Sequence, residues 1–272
     1  MSDTALAQDF RTRDWALVTG ASDGIGRALA TEAAKAGYNV ILTGRRLDRL
    51  EAHADALRRA YYVATIVLVA DLANPDEAET LWQQASEGRR IAVLVNNAGL
   101  GHLGEFGKPE GWDRETESIM VNVIAATILM KRAAAHMAAN GGGRILNVSS
   151  TAAFLPGPHM AVYHATKAYL LSLSEAVAVE MSGQAVFVTA LCPGVTETRF
   201  FQADGSERAH ILNRFMPLPS AEAVAASGWQ AMEKGRRVHV TGWPYKIAAF
   251  LPRLMPRRVT AWTTGVFLKR RW

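Results

Sequence analysis

The sequence predicts an α/β fold in which a doubly wound, mainly parallel sheet of seven strands carries helices on both faces. Two observations lead to this fold. Apolar runs rich in β-branched residues alternate with longer segments of helical composition, and a glycine-rich turn follows the first apolar run. Continuous apolar strands separated by helices are typical of a parallel sheet that is covered on both sides. A chain of 272 residues with 49% hydrophobic content is expected to form one domain, residues 1–272.

The elements follow one another in a regular order. The strongest strand patterns cover residues 15–19, 39–43, 65–70, 91–96, 144–149 and 185–192. A weaker run at 238–241 is assigned as a seventh strand at the sheet edge. Helices are predicted between the strands, at residues 26–36, 47–60, 75–87, 110–139 and 163–181. This alternation is Rossmann-like.

Composition argues against several classes of protein. Cys192 is the single cysteine, so no intramolecular disulfide can form, and its apolar surroundings favour a buried thiol in a reducing, cytoplasmic compartment. The first fifteen residues are too polar for a secretory signal, and no run of about 18 apolar residues marks a membrane span. The net charge of +5 comes without a basic-aromatic signature, so no nucleic acid is expected. The seven histidines show no metal-ligand spacing, so no metal is expected.

The glycine-rich turn has the spacing Gly-x3-Gly-x-Gly and opens the first helix. Glycines let the backbone approach a pyrophosphate, and the helix N-terminus supplies N–H groups and a favourable dipole. Taken alone, such a turn could be any strand-to-helix connection. We expect it to bind a dinucleotide through Gly20, Ser22, Asp23, Gly24, Ile25 and Gly26.

The second strand ends in two basic residues, Arg45 and Arg46. An NAD-binding fold of this type would place an acidic residue here for the ribose 2′-hydroxyl. A guanidinium instead suits a 2′-phosphate, and Ser22 can add a hydroxyl. The sequence therefore favours NADP (NADPH/NADP+) over NAD, although a solvated arginine pair is the alternative.

Tyr163 and Lys167 lie four residues apart in a predicted helix, so their side chains share one face. A positive charge favours the phenolate and lowers the pKa of a neighbouring phenol, which can then exchange a proton with an alcohol oxygen. Such a pair on its own is more often a solvated or half-buried helix face.

Together these motifs resemble the short-chain dehydrogenase/reductase family, NADP-preferring type, over residues 15 to about 198. The series runs in the family's order and is completed by further residues. These are Asp71, Asn96 to Gly99, Asn122, Ser150 and Pro193-Gly194.

The resemblance implies a role for each catalytic residue. Tyr163 would be the general acid and base, Lys167 would lower its pKa and bind the nicotinamide ribose, and Ser150 would orient the carbonyl. Ser150 is preferred to Ser149 because it meets the family's spacing to the tyrosine. Asn122 would hold a water molecule that relays protons to Lys167.

The resemblance also implies further cofactor contacts. Asp71 and Leu72 would contact adenine. Asn97, Ala98 and Gly99 would lie along the cofactor. For Asn96, a structural role is as well supported as direct contact with the cofactor. Asp23 departs from NADP-using relatives with a basic residue there, so specificity would rest on Arg45. The last group follows the sixth strand: Pro193, Gly194, Thr196 and Thr198.

Two segments bear on the substrate and partners. Residues 199–219 correspond to the family's substrate lid and are rich in apolar residues. The extension at 245–272 interleaves apolar and basic residues, which suits packing on the body or on another subunit, or contact with an anionic membrane surface. Packing is favoured, and Pro252 with Pro256 prevents one long helix. His102 and His164 are expected to be structural.

The sequence thus predicts an NADP(H)-dependent oxidoreductase acting on a small carbonyl or alcohol substrate, with apolar residues hinting at an apolar one. Two alternatives remain open: a non-catalytic NADP-binding sensor or scaffold, and an epimerase or dehydratase of the related longer proteins. The intact set of Asn122, Ser150, Tyr163 and Lys167 argues against a sensor. The resemblance implies a homodimer or homotetramer.

Overall fold

The chain forms a seven-stranded sheet in which every strand is parallel to its neighbours. A computed structural model describes residues 14–196 and 219–269, with side chains as far as Val266. The strand order is β3-β2-β1-β4-β5-β6-β7. The predicted doubly wound sheet is confirmed, including its edge strand. The strands are β1 (Trp15–Thr19), β2 (Asn39–Gly44), β3 (Thr65–Val69), β4 (Ile91–Asn96), β5 (Gly143–Val148), β6 (Val186–Cys192) and β7 (Val238–Val240).

Nine α-helices are found in the described parts of the chain. Three of them, α7, α8 and α9, are absent from the predicted helices, although Ser220 caps α7 by accepting a hydrogen bond from Ala223 N at 3.2 Å. The helices are α1 (Gly24–Lys35), α2 (Leu47–Tyr61), α3 (Pro75–Ser86), α4 (Trp112–Ile119), α5 (Ala126–Ala139), α6 (Ala161–Glu180), α7 (Ala221–Glu233), α8 (Trp243–Phe250) and α9 (Arg257–Lys269).

The helices cover the sheet in two layers. Helices α1, α2 and α7 bury their apolar residues against one face, where the rings of Tyr38 and Trp229 meet edge to face at 6.0 Å. Helices α3, α5 and α6 cover the other face. Both faces are closed to water, which is why the central strands read as continuous apolar runs.

One predicted helix, residues 110–139, is four elements in the structure. A 3₁₀ turn at Pro109–Gly111 leads into α4, a π-helical segment at Met120–Ala125, and then α5. The stretch Pro109–Ala139 is long and apolar enough to cross a membrane, but half of its most apolar window is buried within the protein, as in a core helix. The π segment holds Asn122, and π turns often occur at functional sites.

The sheet order places a crevice above β1 and β4. The chain winds outward from β1 to β2 and β3, then returns to β4 on the other side of β1. Crossover connections leave in opposite directions at this point, so the carboxyl ends of the two strands border an open groove, the usual ligand site of such folds. The predicted lid at 199–219 lies outside the described residues except for Pro219.

His53 of α2 is buried where α2 packs beside α1. Its ring is 4% exposed, and Nε2 lies 3.2 Å from Thr31 Oγ1 of α1. Burial, with the nearby charge of Arg27, lowers its pKa from 6.5 to about 4. The folded protein therefore holds His53 neutral at pH values where the unfolded chain binds a proton.

We expect His53 to make the fold sensitive to acid. The folded pKa is below the unfolded one, so stability is lost as the pH falls from about 6.5 towards about 4. At pH 5 the loss from this residue should be about 1–2 kcal/mol. Urea unfolding of the wild type and His53→Gln at pH 7 and pH 5 measures it, because other titrating groups act equally in both. Equal pH dependence in the two proteins would contradict the prediction.

Candidate active site

The turn between β1 and α1 is shaped for a close backbone approach. Gly20 and Gly24 have φ values of +64° and +53°, which side-chain-bearing residues rarely adopt. A Cβ on Gly26 would collide with the Gly20 carbonyl and with the Asn97 amide. Asp23 caps α1 by accepting a hydrogen bond from Gly24 N at 2.9 Å.

The segment after β4 is fastened to this turn. Thr19 Oγ1 accepts hydrogen bonds from the backbone N–H groups of Asn97 and Ala98, both at 2.9 Å. Asn97 Nδ2 donates to the Thr19 carbonyl at 3.0 Å. These bonds join the ends of β1 and β4, so the glycine turn and residues 97–99 border one groove.

Three other predicted residues have mainly structural contacts. Asn96 is buried and donates to the Ala126 carbonyl and to Asn147 Oδ1, at 3.1 and 3.0 Å. The Leu72 side chain is buried in the core, and Asp71 Oδ1 accepts from Ala73 N at 3.1 Å. Any contact of Leu72 with a nucleotide would therefore use its backbone.

The two arginines after β2 have different partners. Arg46 donates to Ser22 Oγ at 3.0 Å and lies 3.5 Å from an Asp23 carboxylate oxygen, which Arg49 also contacts at 3.0 Å. Arg45 instead forms an ion pair with Glu117 of α4 at 2.6 Å. Contact of Arg45 and Ser22 with a 2′-phosphate stays a prediction; in the structure Ser22 is paired with Arg46. Glu117 was not predicted, because the contact spans 72 residues of sequence.

Ser150, Tyr163 and Lys167 meet where β5 ends and α6 begins. Ser150 accepts a hydrogen bond from Ala152 N at 3.1 Å and is hydrogen-bonded to the Tyr163 side chain. Lys167 Nζ lies 5.8 Å from the centre of the Tyr163 ring and donates to the Val148 carbonyl at 2.9 Å. Ser149 points elsewhere and donates to the Lys167 carbonyl at 2.8 Å. The structure therefore brings the three predicted side chains together and gives Ser149 a structural contact.

Burial determines the titration of this group. It raises the pKa of Tyr163 to about 12, although the hydrogen bond from Ser150 acts in the lowering direction. Burial lowers the pKa of Lys167 to about 8. The net shift of Tyr163 is therefore opposite to the one expected from a neighbouring ammonium, because removing the phenol from water disfavours the phenolate more strongly.

Asn122 ties the π segment to the loop after β4. Its Oδ1 accepts from Leu100 N at 2.9 Å, and its Nδ2 donates to the Leu100 carbonyl at 2.8 Å and to Thr166 Oγ1 at 3.0 Å. A Cβ on Gly99 would lie 3.1 Å from Lys167 Nζ and 3.2 Å from Asn122 Oδ1. Asn122 thus positions the loop beside Lys167, and the water relay stays a prediction.

The segment after β6 closes the other side of the group. The Pro193 carbonyl accepts from Thr151 N at 2.9 Å, and Thr196, which is buried, donates to the Gly194 carbonyl at 3.1 Å. A Cβ on Gly194 would collide with the ring of Tyr245 in α8, a contact that the sequence prediction missed. Thr198 lies outside the described residues.

The nearby histidines have structural contacts, and one of them reaches Tyr163: the rings of His164 and Tyr163 meet edge to face with their centroids 6.1 Å apart. His102 lies against Gly104 and Gly111, and His164 Nδ1 is 2.9 Å from the Leu155 carbonyl, beside Gly157. Cys192 is a buried free thiol, and burial raises its pKa to about 12. Among the described residues no cluster of His, Cys, Asp and Glu could hold a metal ion.

The geometry fits a dinucleotide. The glycine turn offers a cradle that a Cβ would fill, and Gly99 keeps the groove open in front of Lys167. The arginines follow β2 on one side of β1, and Ser150 follows β5 on the other side, where Tyr163 meets it. An extended ligand with phosphates in its middle would meet donors along its whole length.

Comparison with known proteins finds a matching family model and several similar proteins. A family model described as "short chain dehydrogenase" matches residues 14–209. Hydroxysteroid dehydrogenase-like protein 1 of Gallus gallus is 32% identical over 94% of this chain and 76% of its own. The Homo sapiens protein named inactive hydroxysteroid dehydrogenase-like protein 1 is 29% identical, over 93% and 75%.

Two bacterial proteins extend the comparison. The 7beta-hydroxysteroid dehydrogenase of Collinsella aerofaciens is 34% identical over 68% of this chain and 70% of its own. A short-chain dehydrogenase from Sphingobium yanoikuyae, solved in complex with NADPH, is 28% identical with a TM-score of 0.78 and covers 89% of this chain and 93% of that one. With its parallel sheet, glycine turn and Ser150, Tyr163 and Lys167 group, the chain belongs to the short-chain dehydrogenase/reductase family of oxidoreductases.

Proposed function

We propose that this protein is an NADP(H)-dependent oxidoreductase that interconverts a carbonyl and an alcohol on an apolar substrate. The observation that carries the proposal is the hydrogen-bonded pair of Ser150 and Tyr163 beside the buried amino group of Lys167. The NADPH-bound relative and the two arginines after β2 support NADP rather than NAD.

The residues act on the substrate oxygen. When bound, the nicotinamide would supply a hydride to the carbonyl carbon or take one from the alcohol carbon. In reduction, Ser150 Oγ donates a hydrogen bond to the oxygen as negative charge develops there, and Tyr163 Oη transfers its proton to it. Tyr163 is left as a phenolate and is reprotonated before the next turnover. Because its pKa is raised to about 12, the phenol is protonated at neutral pH, as reduction requires.

The surroundings support an apolar substrate. Leu100, Leu103, Phe154 and Leu155 are half-buried side chains in the segments that follow β4 and β5. The Collinsella aerofaciens relative is named for a hydroxysteroid. Hydroxysteroids and their ketones are therefore the first compounds to test.

The name of the human relative favours a second candidate, a protein that binds NADP(H) without turnover. This chain differs from a minimal binding protein in keeping Ser150, Tyr163 and Lys167 in contact. A binding protein needs none of them. Nucleotide binding without turnover on any ketone or alcohol would select the second candidate.

We expect Tyr163→Phe to lower kcat/KM for ketone reduction by about a hundredfold or more, the usual contribution of a general acid. NADPH binding, followed by fluorescence, should be nearly unchanged. Tyr169→Phe is the matched control, since Tyr169 lies on the same helix, is 40% exposed and contacts Thr127 Oγ1 at 3.0 Å. Full turnover in Tyr163→Phe would rule out this mechanism.

Alcohol oxidation should rise with pH. The phenolate of Tyr163 is the required base, and a pKa raised to about 12 leaves it scarce at neutral pH. We expect kcat/KM for oxidation to increase between about pH 7 and 9, while reduction stays nearly constant because the phenol remains protonated. A rate of oxidation that is flat over this range would show that another group is the base.

The arginines should set the preference for NADPH. Loss of a charge-assisted hydrogen bond to a 2′-phosphate should weaken NADPH binding about ten- to a hundredfold in Arg45→Ala or Arg46→Ala and leave NADH nearly unaffected. Arg132→Ala is the matched control for Arg45→Ala, because its ion pair with Glu79 has the same exposures, 56% and 33%, as the Arg45–Glu117 pair. An unchanged ratio of NADPH to NADH affinity in both variants would contradict the assignment.

A further inference from the structure

An exposed apolar stripe runs along α8 and the 3₁₀ turn that follows it, Leu251–Leu254. Its members recur at spacings of four, three, one and three residues, which places them on one side of a continuous helical path. The side chains are 48–73% exposed. They are Trp243, Ile247, Phe250, Leu251 and Leu254.

The stripe continues on α9. Val259 and Trp262 are one helical turn apart and are 41% and 69% exposed. Packing on the body or on another subunit was the favoured expectation for this segment. The seven exposed side chains show that its outer side does not pack on the body of the same chain in the described structure. An apolar area of this kind commonly marks an interaction surface.

The charge of this surface is of one sign. Residues 243–272 contain seven lysines and arginines and no aspartate or glutamate. Four of the basic side chains belong to the described elements and are exposed: Lys246, Arg253, Arg257 and Arg258. None of these four forms an ion pair with a residue inside the described ranges. The positive charges of these four side chains can therefore attract an anion outside the protein.

The surface is held firmly to the catalytic domain. The Tyr245 ring fills the space over Gly194, and the Tyr245 hydroxyl lies 3.5 Å from the Val195 carbonyl. In α9, a Cβ on Gly265 would lie 3.1 Å from Pro158 Cγ. Ala249 and Thr260 are buried on the inner side. The inner side therefore adjoins the segments after β5 and β6, and the outer side carries the stripe.

We propose that the surface formed by α8, the 3₁₀ turn and α9 docks onto an anionic lipid membrane. Trp243, Leu254 and Trp262 enter the interfacial layer, and Arg253, Arg257 and Arg258 pair with lipid phosphates. Tryptophan and arginine suit this boundary, where a helix lies in the plane of the interface. Two copies of this chain joined symmetrically through the same surface would bring like charges together, which disfavours a second copy as the occupant.

Docking would place the lipid beside the substrate side of the groove. The inner contacts of Tyr245 and Gly265 are made to residues 194–195 and 158, which flank the catalytic residues in sequence and in space. An apolar substrate dissolved in the membrane would then have a short path to Tyr163. This consequence rests on the proposed function, but the docking itself does not.

Vesicle flotation of the full chain tests the proposal without any measurement of activity. The protein should float with vesicles of phosphatidylcholine and phosphatidylserine, and less with phosphatidylcholine alone or at high salt. Reversing the charge in Arg253→Glu/Arg257→Glu/Arg258→Glu should weaken binding by about a hundredfold or more, because each basic residue near the surface contributes about fivefold. Trp243→Ser/Leu254→Ser/Trp262→Ser should also lose binding.

Matched substitutions elsewhere provide the control. Phe106 and Trp112 are 72% and 61% exposed and lie before and at the start of α4, so Phe106→Ser/Trp112→Ser should bind vesicles like the wild type. Circular dichroism confirms that each variant folds. The proposal is overturned if the wild type stays unbound with anionic vesicles, or if charge reversal leaves binding unchanged. If the wild type is a dimer that does not bind anionic vesicles, and the triple serine variant is a monomer, the surface belongs to a second copy of this chain.

Discussion

Lys167 carries an amino group into the interior, where its exposed fraction is 4% and it donates to the Val148 carbonyl at 2.9 Å. A buried amino group is costly unless its surroundings satisfy it. The carbonyl comes from the end of β5, the facing glycine from the loop after β4, and the phenol from its own helix. The position of this one group thus requires the ends of β4 and β5 and the beginning of α6 to lie at the same depth.

The sequence predicts best those features whose place in the fold leaves a local pattern of residues. The central strands could be predicted because a strand buried on both faces must be apolar throughout, and the glycine turn because only glycine tolerates its backbone. Tyr163 and Lys167 share a helix face by spacing alone. The π segment could not be predicted, since α and π turns have the same composition and the bonds of Asn122 to Leu100 exist only in the folded chain.

The ion-pair partners of the two arginines and the pKa shift of Tyr163 could not be predicted either, because they also depend on contacts between distant parts of the chain. Arg45 and Arg46 are adjacent residues of the same type, so the sequence does not distinguish them. In the structure Arg45 pairs with Glu117 and Arg46 with Ser22. The direction of the Tyr163 pKa shift depends on how completely the ring is buried, which spacing does not reveal. The Arg45–Glu117 pair also links the end of β2 to α4, and α4 continues into the segment that holds Asn122. Arg45 and Asn122 are therefore connected through one helix.

The π-helical segment at Met120–Ala125 also has a bearing on how this chain can vary. A π turn is equivalent to one extra residue inserted into an α-helix. Because the wider π turn takes up that residue, α5 keeps Leu129 and Ala133 against the sheet. Deleting one residue there would restore a regular helix and keep that side of α5 in place, but the turn that presents Asn122 to Leu100 would be lost. Homologous chains should therefore accept substitutions in this segment far more readily than a change in its length.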